Sequence, residues 1–134
     1  MKKRVLYCVF GIYVVVLLML TVFRTRSYPI EGTVNLSLFT DLVATYHENG
    51  VWMVLYLVGG NIVWFVPFGL FLPMIWKKLR GLFVILMGLC FSLTIETGQL
   101  LLGTGLFEID DLVLNTLGTA IGCLIYKIYR DFRK

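Results

Sequence analysis

A chain of 134 residues of which 59 % are apolar and only 15 % charged departs from the soluble balance of about 45–50 % apolar and about 25 % charged. A soluble domain of this size could not bury so much apolar surface. The basic residues that give the net charge of +4 are grouped in short segments, and this grouping implies no nucleic-acid partner. The composition therefore excludes an ordinary soluble protein. It predicts a single domain over residues 1–134, with the lipid bilayer as its partner.

The first predicted element is an apolar span over residues 5–23. Its 19 residues, at about 1.5 Å each, give roughly 28 Å, which is close to a hydrocarbon core of about 30 Å. The segment FRTRSYP that ends it has no small-residue cleavage pattern, so we expect the span to be retained. Because it carries no strongly polar side chain, it is predicted to be an anchor outside any functional site.

The second predicted element is an amphipathic helix over residues 36–48. Polar side chains such as Thr40, Asp41 and Thr45 recur at helical spacing, and the opposite face is apolar. We expect Asn35 to cap this helix. The pattern is typical of a helix that lies on the membrane surface or over a helical bundle, here on the extracytoplasmic side.

Three further apolar segments complete a bundle of four spans, and they cover residues 51–76, 81–102 and 110–127. The first of them contains Pro67 and Pro73, which membrane helices tolerate when neighbours satisfy the freed carbonyl groups. The last contains Gly118 and Gly122, a spacing that lets another helix backbone approach closely. The predicted fold class is an all-α integral membrane protein of four transmembrane helices plus the amphipathic helix. Assembly into a homo-oligomer stays open.

The distribution of positive charge predicts the orientation. Of the 12 lysines and arginines, all but Arg24 and Arg26 lie at the N-terminus, in the turn over residues 77–80 or in the C-terminal tail. Positively charged residues that flank membrane spans favour the cytoplasmic side. We therefore predict a multi-pass protein of the plasma membrane with both termini in the cytoplasm.

Carboxylates and amides in the spans form the candidate ligand-binding site. Glu96 and Gln99 share one face of the third span, Asp111 and Asn115 share one face of the fourth, and Asn61 lies at a similar depth in the second. Ionisable groups in a bilayer usually face protein, water or a ligand. We expect these five residues to meet near the outer leaflet and to open towards the outside.

Four interpretations of this cluster stay open. Glu96 is a protonated or paired structural group; Glu96 and Asp111 are a catalytic acid–base pair or ligands of Mg²⁺ or Ca²⁺; the cluster binds a lipid headgroup or amphiphile; or it belongs to a proton-coupled carrier. The sequence has no serine or cysteine nucleophile with a histidine, no phosphate loop and no metal motif of histidine or cysteine. We therefore predict no resident metal and no cofactor, and the residues favour binding over catalysis.

Three motifs resemble the VanZ-like family of small membrane proteins. They are NIVWFVPFG at Asn61–Gly69, E-x-x-Q at Glu96–Gln99 and EIDDLVLNTLGTAIG at residues 108–122, in the order and spacing of that family. The resemblance implies a protein of a bacterial plasma membrane, of the Gram-positive type. It also implies a link to resistance against teicoplanin and related lipid-bearing glycopeptide antibiotics.

This chain departs from the family pattern at three positions. Leu38 stands where proline is typical, Glu108 where aspartate is more common, and Gly105 where many relatives have arginine. We predict a VanZ-like protein that binds an amphiphile, a cell-wall lipid or the glycopeptide at the outer leaflet. The alternative is a membrane-embedded enzyme that modifies a lipid-linked envelope substrate through Glu96 and Asp111.

Overall fold

The computed structural model describes residues 3–23 and 34–133, and four of the five helices in this part of the chain are long and apolar enough to cross a membrane. The four long helices are α1 (Lys3–Thr21), α3 (Val51–Ile75), α4 (Gly81–Leu102) and α5 (Ile109–Phe132), and the short helix α2 (Thr40–Asn49) precedes α3. Two short strands, β1 (Val34–Asn35) and β2 (Phe107–Glu108), pair in parallel. The predicted fold class is confirmed.

The predicted and observed elements differ most at α2. This helix begins at Thr40 instead of residue 36, because Asn35 belongs to β1 and Phe39 has a left-handed φ of 59° at the helix start. The expectation that Asn35 caps α2 is wrong. Its side-chain nitrogen donates instead to Asp41 Oδ2 at 2.5 Å.

The orientation in the membrane stays a prediction, and Arg24 and Arg26, which bear on it, lie outside the described residues. The alternation of the four spans places the turn between α3 and α4 at the same end of the bundle as the start of α1 and the end of α5. Described cations of that end include Lys78 in the turn and Arg130 in α5. The apolar helix α5 continues into the basic tail and ends at Phe132, beyond the predicted boundary at residue 127.

The most extensive contact between helices joins α3 and α5. A Cβ atom on Gly118 would fall against the carbonyl oxygen of Ile62, and one on Gly122 against that of Val66. The two backbones therefore touch directly at these glycines, as predicted from their spacing. In lipid, where apolar burial gives little advantage to helix association, such close contact is a main source of stability.

The other helices pack around this pair through aromatic and small side chains. Phe68 of α3 and Phe91 of α4 stack with their ring centroids 4.9 Å apart. Gly88 of α4 leaves room for the side chain of Thr119 on α5. On the other side, the hydroxyl group of Tyr13 in α1 donates to the carbonyl oxygen of Trp64 at 2.6 Å.

The substitution Gly122→Ala should destabilise the protein by about 1–3 kcal/mol, the usual cost of overpacking. The new methyl group meets the Val66 carbonyl oxygen, and a backbone atom cannot turn aside as a side chain can. Thermal unfolding in detergent measures the effect. The matched control is Gly59→Ala in α3, where no described atom lies within 4 Å of the added Cβ and no loss is expected. Equal melting temperatures for the two variants would contradict the prediction.

Candidate functional site

A cavity of about 610 Å³ lies at the end of the bundle where α1 and α4 end and where α3 and α5 begin. This volume falls within the range of about 300–1,000 Å³ that small-molecule sites occupy. The five predicted site residues all line it, namely Asn61, Glu96, Gln99, Asp111 and Asn115. The structure thus brings these residues together in one place, and their role in binding stays a prediction.

Glu96 is a deeply buried carboxylate whose side chain is held by the turn that follows its own helix. It is 2 % exposed, and its Oε2 accepts a hydrogen bond from the backbone N–H of Glu108 at 3.1 Å. The backbone can turn back towards Glu96 because Gly103, the residue directly after α4, has a left-handed φ of 64°. Thr104 N–H then donates to the carbonyl oxygen of Gln99 at 3.0 Å. A buried carboxylate needs such a donor to offset its lost hydration.

Two side-chain hydrogen bonds join the three helices that carry the predicted residues. Asn61 Nδ2 on α3 donates to Asp111 Oδ1 on α5. One turn deeper, Asn115 Nδ2 donates to Ser92 Oγ on α4 at 2.9 Å. Asp111 lies in the first turn of α5, where the helix dipole favours negative charge. The polar residues that line the cavity are therefore held by contacts between helices, and Asn115 is held by Ser92, which is buried behind the lining.

Helix α1 also forms part of the cavity wall, whereas the sequence predicts an anchor apart from the candidate site. Leu17, Leu20 and Thr21 line the cavity, and Gln99 Nε2 donates to the carbonyl oxygen of Thr21 at 3.4 Å. The last carbonyl groups of a helix lack partners within the helix and are available as acceptors. An apolar sequence alone does not distinguish a wall of this kind from a surface that faces lipid.

Asp110 also lines the cavity, although the predicted set of five residues does not include it. Its side chain is 8 % exposed, and its Oδ1 accepts a hydrogen bond from the backbone N–H of Phe39 at 2.8 Å. That N–H group lies at the start of α2, where donors have no partner within the helix. The paired strands β1 and β2 lie next to this bond. We call the Phe39–Asp110 hydrogen bond and the β1–β2 pair the clasp, because together they connect the start of α2 to the segment between α4 and α5.

The departure from the family pattern at Gly105 lies directly against the site. Gly105 is buried, and a Cβ atom at this position would lie 3.2 Å from the Cβ of Gln99. A larger side chain would therefore require Gln99 to shift by a few tenths of an ångström. The glycine thus affects both the charge near the cavity and the position of one of its amides.

The lining of the cavity mixes polar and apolar side chains, and each of α1, α3, α4 and α5 contributes both kinds. The polar groups are carboxylates and amides, together with the hydroxyl of Thr104, which is buried and has no hydrogen-bond partner among the described residues. The apolar groups include Leu17, Leu57 and Phe65. No three His, Cys, Asp or Glu side chains in the described part of the chain lie close enough together to hold a metal ion. The arrangement offers contacts to both the polar and the apolar part of a bound molecule.

Comparison with known proteins agrees with the three sequence motifs. A family model described as VanZ/LLP1 matches residues 5–130. The chain is 29 % identical over 123 residues to the Protein VanZ of Enterococcus faecium, an alignment that covers 87 % of this chain and 70 % of that protein. No solved structure matches the chain.

Loss of the clasp should loosen α2. In Asp110→Ala the N–H of Phe39 loses its acceptor, so hydrogen exchange of the backbone amides over residues 40–49 should become faster. Asp110→Asn keeps an oxygen acceptor and should restore most of the protection. Hydrogen–deuterium exchange with mass spectrometry in detergent measures both. Unchanged exchange in Asp110→Ala would show that the clasp does not hold α2 in place.

Proposed function

The chain belongs to the VanZ/LLP1 family, and from this premise we propose that it lowers the sensitivity of a bacterial cell to teicoplanin and related lipid-bearing glycopeptides. It does so by binding an amphiphile at the outer leaflet of the plasma membrane. The amphiphile is the antibiotic itself, through its lipid tail, or a lipid of cell-wall synthesis that the antibiotic would otherwise reach.

The mixed polar and apolar lining of the cavity is the observation that carries this proposal. Glu96 and Asp111 supply acceptors, while Leu17 and Phe65 supply apolar surface. An amphiphile likewise has a polar part and an apolar part. A purely structural cluster of polar side chains would need no cavity of about 610 Å³ beside it.

The distribution of positive charge supports an outward-facing site. The basic residues of the turn over residues 77–80 and of the α5 tail lie at the end of the bundle opposite the cavity. Under the positive-inside bias that end is cytoplasmic, and the cavity then opens in the outer leaflet. A lipid-bearing agent that inserts from outside the cell would meet it there.

Glu96→Gln and Asp111→Asn should each reduce resistance to teicoplanin to the level of cells that lack the protein. Both substitutions keep the size of the side chain and an oxygen acceptor, so the bonds from Glu108 N–H and Asn61 can persist while the negative charge is lost. Growth at increasing teicoplanin concentration is the measurement, together with the amount of protein in the membrane fraction.

Two controls accompany this assay. Asp131→Asn removes an exposed carboxylate near the end of α5, far from the cavity, and should leave resistance unchanged. A glycopeptide without a lipid tail should show little dependence on any of the variants. Full resistance in Glu96→Gln and Asp111→Asn, at normal membrane levels, would contradict the proposed role of both residues.

Native mass spectrometry of the detergent-purified protein separates binding from catalysis. A lipid or amphiphile that co-purifies with the wild-type protein and is absent from the Glu96→Gln variant supports binding at the cavity. Release of a chemically changed lipid on incubation with membrane extract would favour the second candidate, an enzyme in which Glu96 and Asp111 act as an acid–base pair, since both carboxylates line one cavity. Equal spectra with a less stable Glu96→Gln variant would assign Glu96 a structural role alone.

A further inference from the structure

The cavity is closed on one side and open on another. Where α4 and α5 form its wall, the lining residues Ile95 and Leu114 are only 2 % and 6 % exposed. Where α1 and α3 form it, exposure changes along the helices: Leu17 and Phe65 are only 0 % and 2 % exposed, whereas Leu20 and Tyr56 are 51 % and 75 % exposed. Because α1 and α3 are both long and apolar enough to span a membrane, we expect this exposed part of the wall to face lipid.

Gly60 lies on the open side and has no packing role among the described residues. It lines the cavity, yet no described atom lies within 4 Å of the position that its Cβ would take. Gly118 and Gly122 differ in this respect, because each is in contact with the backbone of α3. Gly11 and Gly59 are equally uncrowded, but of these three described glycines it is Gly60 that also lines the cavity. The missing side chain leaves space there for a ligand.

The depth of Gly60 limits what can occupy this space. Nine residues separate it from the start of α3 at Val51, which at about 1.5 Å each places it about 14 Å along the helix. This position lies inside a hydrocarbon core of about 30 Å, where the surrounding molecules present acyl chains.

We propose that a lateral portal opens between α1 and α3 at Gly60, on the side of the Tyr13–Trp64 hydrogen bond nearer the start of α3, and that the acyl chain of an amphiphile dissolved in the membrane enters the cavity through it. The chain lies against Leu20 and Leu57, and the polar head is directed towards Glu96 and the amide groups beside it. This inference rests on the proposed function in one respect, since it concerns the same ligand. It adds the route of entry, the part of the ligand that passes and the residue that leaves room for it.

Photolabelling of the full chain in vesicles of phosphatidylethanolamine and phosphatidylglycerol tests the portal. The probe is a lysophosphatidylethanolamine with a diazirine group in its acyl chain, and mass spectrometry maps the labelled residues. Labelling should be several-fold higher at Leu20 and Leu57 than at Leu101 and Val113, which are exposed at the same end of the bundle and lie outside the cavity. Uniform labelling of all exposed apolar positions would overturn the proposal.

A pair of adjacent glycines provides the matched variants. Gly60→Leu should fill the portal and lower labelling at Leu57 to the level of Val113. Gly59→Leu places the same side chain one residue earlier, also with no described atom within 4 Å of its Cβ but outside the cavity lining, and should leave labelling unchanged. Thermal unfolding checks that both variants are folded. Equal labelling in Gly60→Leu and wild type would overturn the proposal.

The portal and the proposed function fail in different ways. If labelling concentrates at the portal while Glu96→Gln keeps full teicoplanin resistance, the portal stands and the proposed function falls. If resistance depends on Glu96 while labelling is uniform, the proposed function stands and the portal falls.

Discussion

Direct contact between the backbones of α3 and α5 is the constraint on which the rest of the structure depends. Gly118 and Gly122 allow it, and the two parallel helices are then close enough for Asn61 to donate to Asp111. In lipid, helices associate through close packing and hydrogen bonds, because apolar surface has no reason to leave an apolar solvent. The polar groups at one end of the bundle can therefore be part of what holds it together and still border a cavity. Packing and the proposed ligand binding involve the same side chains, so variants that keep side-chain shape are needed to separate the two.

Much of the fold could be predicted from the sequence because a bilayer imposes simple demands on length and polarity. The bounds of α3 and α4 could be predicted from two apolar runs. Gly50 precedes the first run, the basic turn separates the two, and Gly103 follows the second. The face shared by Glu96 and Gln99 followed from helical periodicity and does line the cavity. These features depend on residues close together in the chain or on the surrounding lipid.

The missed features depend on contacts that local patterns do not encode. The backbone N–H of Phe39, at the start of α2, donates to Asp110, which is 71 positions away. The contribution of Leu17 to the cavity wall was missed because a leucine that faces a cavity and one that faces lipid have the same sequence signature. The effect of Gly105 on Gln99 is also a matter of close approach, visible only once the turn after α4 is in place. Cavity-lining residues were thus easier to predict when they were polar side chains in an apolar helix than when they were apolar side chains typical of that helix.

The parallel pair of β1 and β2 has a consequence for the biogenesis of the protein. Val34 and Asn35 are made early in synthesis, but their partners Phe107 and Glu108 follow only after α4. Until then α2 has its contacts with α3 but lacks the clasp, and Glu96 lacks the N–H of Glu108 that stabilises it. Because chains emerge from their N-terminus, the clasp forms only after α4 has been made and α5 has begun. A chain interrupted after α4 would therefore leave both the clasp unformed and the Glu96 carboxylate without this donor.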